Sequence, residues 1–278
     1  MRNTLAWLII GLVAMLLLSC TQTKPASATD DTSSASSSSE NPESSGDSSI
    51  SQPSEDFWKP PEGRKPRFLF VHHSTGEGFL FDGGMKDMLE KDGFEVHNRT
   101  YGDGWVGDNT NPADFPVTFT EHFDDLISWD LPEGEHYDII AFKSCFPASN
   151  ICSDEDLEAY KGYYETIKTV TRQHPEILFI PWSTPPLVPN GTEPECAARA
   201  RDFATWLTGP YIEGESNLAS FDVFSRLAGD DPSARDYNCL KYDYQADPND
   251  SHPNHMANMG VANDFFVWLS QLVWRRLY

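Results

Sequence analysis

The run Arg67-Phe68-Leu69-Phe70-Val71-His72 constrains this chain more than any other stretch. It is apolar almost throughout and has turn formers on both sides. A short run of aromatic and branched side chains without alternation reads as a strand covered on both faces, as in a parallel sheet. Related runs follow at Phe94-Glu95-Val96-His97, Tyr137-Asp138-Ile139-Ile140-Ala141-Phe142, Ile177-Leu178-Phe179-Ile180-Pro181-Trp182 and Leu218-Ala219-Ser220-Phe221-Asp222-Val223-Phe224. Helical patterns lie between them. A short one covers residues 83–91. Ser153 and Asp156 form a capping box, and Leu157, Tyr160, Tyr164, Ile167 and Val170 then recur at spacings of three and four. Ala197, Ala200, Ala204 and Leu207 mark another helix; Val261, Phe265, Trp268, Leu269, Leu272 and Val273 mark the last. Strands alternating with helices predict an α/β fold, a three-layer sandwich around a mainly parallel, flavodoxin-like sheet of five strands.

The foldable part has a sharp start. Residues 1–20 read as a secretory signal: Arg2, an apolar stretch over residues 5–18, then Leu17-Leu18-Ser19-Cys20. Residues 21–57 are dominated by Ser, Thr, Asp, Glu and Pro, with Ile50 their only large aliphatic residue. Such a stretch cannot bury enough apolar surface to offset its chain entropy, so it reads as a disordered tether. Residues 58–278 have globular composition and a length suited to one domain. The ending at Cys20 resembles the lipobox of bacterial lipoproteins, whose cysteine carries the lipid. Thr21, in place of an aspartate, implies outer-membrane sorting by the same resemblance.

The formal net charge of -23 argues against nucleic acid as a partner and against anionic headgroups as an anchor. Membrane attachment therefore falls to Cys20. Removing Cys20 from the five cysteines leaves Cys145, Cys152, Cys196 and Cys239. An even number in an oxidising compartment permits two disulfides. Proximity favours Cys145–Cys152 with Cys196–Cys239. A monomer is expected, and the reading implies no cofactor.

In open parallel sheets chemistry gathers beyond the carboxyl ends of the strands. The first run leads into His73-Ser74-Thr75-Gly76, the second into Tyr101-Gly102-Asp103-Gly104-Trp105, and the third into Lys143-Ser144-Cys145-Phe146-Pro147-Ala148-Ser149-Asn150. Asp250-Ser251-His252-Pro253-Asn254-His255 precedes the last helix. These segments supply a hydroxyl, backbone donors, an amide, and a carboxylate beside an imidazole. A serine hydroxyl needs a base to take its proton, and that base must be neutral to do so. His252 is the candidate base, oriented by Asp250, with Asp247 as competitor. Oxyanion donors are expected at the Ser74 amide, at Gly102 or Gly104, and at Asn150.

The ordered set resembles the SGNH (GDSL-like) hydrolases over roughly residues 66–277. In that family the serine follows the first strand, glycine and asparagine donors follow the next two, and an Asp/His pair lies near the C-terminus. The resemblance implies acyl-ester chemistry through Ser74, His252 and Asp250, on a small-molecule or polysaccharide ester, with acetylated carbohydrate favoured by an exported location. It also departs from the pattern. His72-His73 replace the usual Gly-Asp before the serine, and the third block has no Gly-x-Asn-Asp. Asp250 precedes His252 by two positions rather than three, a spacing that resembles the SGNH-like polysaccharide O-acetyltransferases. Water as acceptor implies an esterase, and a sugar hydroxyl an acyltransferase. The altered first block also admits a non-catalytic glycan-binding module. His73 is a candidate substrate contact, though adjacent strand residues face opposite ways, so at most one of His72 and His73 enters the site. Lys143 reads as a surface ion-pair residue. Trp105, Trp129 and Trp182 read as packing residues. His72, His73, His252 and His255 with Asp250 have the ligand types of a metal site, but no HExxH or comparable spacing joins them.

Overall fold

The computed structural model describes residues 57–275 apart from Cys145. The signal segment, Cys20 and almost all of the tether lie outside the described residues. Four parallel strands form the sheet: β1 (Arg67–Val71), β2 (Glu95–Arg99), β3 (Ile139–Lys143) and β4 (Leu178–Trp182), in the order β2-β1-β3-β4. The helices are α1 (Thr75–Glu77), continued by a π-helical turn (Gly78–Asp82), then α2 (Met85–Lys91), α3 (Gly104–Asp108), α4 (Phe115–Thr120) and α5 (Phe123–Ser128). The later ones are α6 (Asp154–Thr171), α7 (Pro194–Thr208), α8 (Val223–Leu227) and α9 (His255–Trp274). A small antiparallel hairpin, β5 (Gln245–Asp247) with β6 (Asp250–Pro253), precedes α9.

Alternation along the buried strands builds two cores. Phe68, Phe70, Ile139, Ala141, Leu178, Ile180 and Trp182 face Met85 and Leu89 of α2 and Val261, Phe265 and Leu269 of α9. Leu69, Val71, Ile140, Phe142 and Phe179 face the opposite layer, where Phe115, Phe119, Tyr164, Ile167, Phe203 and Leu207 come from α4, α6 and α7. That is the expected three-layer α/β sandwich. The capping box also forms, with the Asp156 amide donating to Ser153 Oγ at 3.0 Å.

The fifth strand does not form as expected. Residues 218–221 run parallel to β4 but make only isolated bridges, Phe179 with Leu218 and Trp182 with Phe221. The cause is Pro181. Phe179 N donates to Asn217 O at 2.9 Å, and Ser183 N donates to Phe221 O at 3.0 Å. The rung between them needs an N–H at Pro181, which has none. The edge is further closed by Asp222, whose side chain accepts from Ser225 N at 3.1 Å and starts α8.

The cysteine expectation is also corrected. Cys152 bonds to Cys196, with Cα atoms 4.3 Å apart, and Cys239 is a buried free thiol. The link ties the start of α6 to the first turn of α7. Sequence proximity failed because chain crossovers decide which cysteines meet. Cys145 lies outside the described residues.

Candidate active site

The sheet order reverses between β1 and β3, which opens a crevice at the carboxyl end of β1. Ser74 sits there, between β1 and α1. Its φ of 52° and ψ of -105° are sparsely populated for a non-glycine residue. Such a turn lifts a side chain off the strand end, and the surroundings hold it. Gly76 packs so closely on His72 that a Cβ there would lie 2.4 Å from the His72 Cβ. No larger residue fits while His72 keeps its place.

The candidate base arrives from far along the chain. Ser74 Oγ is hydrogen-bonded to His252 Nε2. His252 Nδ1 lies 2.5 Å from Asp250 Oδ1, which also accepts the His252 backbone N–H at 3.0 Å. The hairpin explains the short spacing: alternate residues of an extended strand share a face, so Asp250 and His252 on β6 point the same way. The His252 amide and then its ring hold the Asp250 carboxyl below the usual carboxylate range. A charged Asp250 fixes the Nδ1–H tautomer and leaves Nε2 free to accept the serine proton. Asp247, the competitor, instead accepts the Asn249 amide at 2.8 Å within the hairpin turn.

Neighbours with no sequence signal complete the arrangement. The Phe146 ring meets the His252 ring edge-on, with centroids 5.1 Å apart. Ser251 Oγ accepts from Val188 N at 3.0 Å and fixes the hairpin to the loop after β4. Asp82, at the end of the π-helical turn, accepts from His255 Nδ1 and from Asn258 Nδ2, each at 2.8 Å. The segment bearing the serine is thereby joined to the segment bearing the histidine. Asn254 caps α9, its Oδ1 accepting from Ala257 N at 3.0 Å.

The remaining candidates are distributed differently from expectation. The Gly102 amide donates to Asp108 Oδ1 at 2.7 Å and is occupied. Gly104 opens α3 at φ 76°, and a first-turn amide has no intrahelical partner. Asn150 is exposed and accepts from Thr192 Oγ1 at 2.7 Å, which ties it to the loop before α7. His73 is not free to meet substrate. It is buried, bonded through Nε2 to Gly107 O, and accepts from Thr110 Oγ1 at Nδ1 at 2.9 Å. Its ring stacks on Tyr101 at 3.4 Å, so it secures the loop between β2 and α4.

His72 is fully buried, and neither ring nitrogen has a hydrogen-bond partner. Burial first, then the nearby Lys143 and His73, push its pKa down to about 3. Lys143 is itself buried, with Nζ donating to Ser144 O at 2.9 Å, which corrects the surface ion-pair reading. Trp182 is central to the first core, Trp129 lies under the Arg99 guanidinium at 3.7 Å, and Trp105 is half-exposed against His122. His72, His73, His252 and His255 thus have separate surroundings. Among the described residues, no group of three or more His, Cys, Asp or Glu is placed to hold a metal ion. No helix among them is long and apolar enough to cross a membrane.

No protein-family model and no curated protein matches the chain. Among solved structures it is similar to a carbohydrate esterase family 3 from Talaromyces cellulolyticus, at 14% identity over 76% of this chain and 100% of that one, with a TM-score of 0.46. It is also similar to a GDSL-like lipase from Bacteroides thetaiotaomicron, at 12% identity over 76% of this chain and 89% of that one, with a TM-score of 0.44. These are likenesses of chain path and assign no residue a role.

Proposed function

We propose that this protein is an SGNH-type serine esterase acting on acyl esters, with acetylated carbohydrate as substrate. The observation that carries the reading is the continuous contact from Ser74 Oγ through the His252 ring to Asp250. In the proposed mechanism His252 Nε2 takes the Ser74 proton as Oγ attacks the ester carbonyl. The Ser74 amide and the Gly104 amide receive the developing oxyanion. His252 then passes its proton to the leaving alkoxide, giving an acyl-Ser74 intermediate and a free alcohol. Water, activated by His252, releases the acid and restores Ser74.

Carbohydrate is favoured by the proposed location. Export by the N-terminal signal and lipidation at Cys20 would hold the enzyme on a tether at the cell envelope, within reach of envelope and captured extracellular glycans. Replacement of Cys20 by serine should move the protein from the membrane fraction to the soluble fraction.

Hydrolysis of p-nitrophenyl acetate by the purified protein tests the chemistry. Activity that is lost in both Ser74→Ala and His252→Ala and is indifferent to chelator supports the reading. Chelator-sensitive activity that survives Ser74→Ala overturns it.

A further inference from the structure

A concave surface bordered by the loop that holds the β5–β6 hairpin has no part in the chemistry above. It is a cleft of about 570 Å³ between the β4–α7 loop, the first turns of α7 and residues 232–239. Pro189 and Thr192 line it from the loop, Glu195 from α7, and Arg235, Tyr237 and Asn238 from the segment before the hairpin. The loop wall is shared with the catalytic hairpin. Val188 N is held by Ser251 Oγ at 3.0 Å, Asn190 Nδ2 donates to Asn249 Oδ1 at 3.3 Å, and Thr192 is bonded to Asn150. A ligand in the cleft therefore touches the loop that borders Asp250 and His252.

The walls are braced. Arg201 donates from Nη2 to Gly229 O at 2.8 Å and from Nε to Asn238 Oδ1, and the Cys152–Cys196 disulfide pins the first turn of α7 beside Glu195. Tyr237 is 37% exposed, so part of its ring is open to a ligand. The chemistry is mixed: Pro194, Ala198, Pro232 and Ala234 give apolar surface beside one partly exposed ring, a guanidinium, a carboxylate and small polar groups. A long acyl chain would cover Arg235 and Glu195 without pairing either charge, and a polyanion would want an excess of basic groups. A pyranose has an apolar C–H face for the ring and hydroxyls for Arg235 and Glu195.

We propose that this cleft is a subsite for a sugar residue of the same glycan whose ester is held at Ser74, so that the enzyme prefers esterified oligosaccharides to isolated esters. The proposal rests on the esterase reading, and the test separates the two. Full-length protein would be assayed on p-nitrophenyl acetate and on acetylated oligosaccharides from xylan, glucan and chitin, as wild type, Tyr237→Ala, Tyr237→Phe and Arg235→Ala. The readout is kcat/KM for each oligosaccharide divided by kcat/KM for p-nitrophenyl acetate. Tyr237→Ala should lower that ratio about three- to tenfold, through KM, for at least one oligosaccharide. Tyr237→Phe should restore it, and Arg235→Ala should lower it. An unchanged ratio throughout overturns the subsite and leaves the esterase reading intact; wild type that cleaves p-nitrophenyl acetate but none of the oligosaccharides overturns the subsite and the carbohydrate substrate and leaves the serine-esterase chemistry. Wild type inactive on every ester overturns the esterase reading and this proposal with it.

Discussion

Asp82 Oδ1 accepts a hydrogen bond from His255 Nδ1 at 2.8 Å, across 173 positions of chain. Asp82 ends the segment that begins at Ser74, and His255 stands three residues after His252. Asn258 binds the second Asp82 oxygen, and Asn258 and then His255 hold this carboxyl below the usual carboxylate range. Gly78 and Gly83 approach the same asparagine so closely that a Cβ at either would lie under 3.0 Å from it. The contact joins the segment bearing Ser74 to the segment bearing His252 without touching either residue.

Asp82→Ala should therefore lower kcat on p-nitrophenyl acetate roughly 10- to 100-fold while KM stays near the wild-type value, since small misplacement of reacting groups is costly. Asp82→Asn keeps an acceptor oxygen and should recover most of the rate. Equal loss in both variants, or a change confined to KM, would remove Asp82 as a positioning residue.

His72 makes a separate prediction about acid. Its folded pKa of about 3 lies below the value of about 6.5 expected in the unfolded chain. Between those values the unfolded state binds the extra proton, so stability falls as pH falls below about 6.5. From pH 7 to pH 5 the loss should be about 2 kcal/mol for this one group. Urea unfolding of His72→Leu should lack that part of the loss. Parallel pH dependence in wild type and variant would contradict the buried neutral imidazole.

Much of the fold was legible because buried strands and helix faces write local patterns. The runs at residues 67–72 and 177–182 became β1 and β4, and the Leu157, Tyr164 and Ile167 face was buried where its spacing put it. Failures came where a single atom or a distant partner decided. One missing N–H at Pro181 reduced the fifth strand to bridges. The His73 imidazole found Gly107 and Thr110, neither of which its neighbours announce. Ser74, His252 and Asp250 could be picked out as chemically suited, because order along the chain and strand ends suggested them. The Asp82–His255–Asn258 contact could not, because nothing local marks residues that meet across more than 170 positions.

The disulfide gives a prediction independent of activity. Non-reducing peptide mapping should recover Cys152 joined to Cys196. Cys239, whose thiol is pushed up to about 11 by burial and then by Asp236, should alkylate at pH 8 at least about 100-fold more slowly than an unfolded control. A Cys196–Cys239 linked peptide would contradict the arrangement.

The central claim is that Ser74 is a nucleophile activated by His252. Reaction with a fluorophosphonate, read by mass spectrometry of the intact protein and its peptides, tests it most directly. One adduct per chain is expected, located on the peptide containing Ser74 and absent in both Ser74→Ala and His252→Ala. Absence of an adduct in wild type that is active on esters, or an adduct that persists in Ser74→Ala, would contradict it.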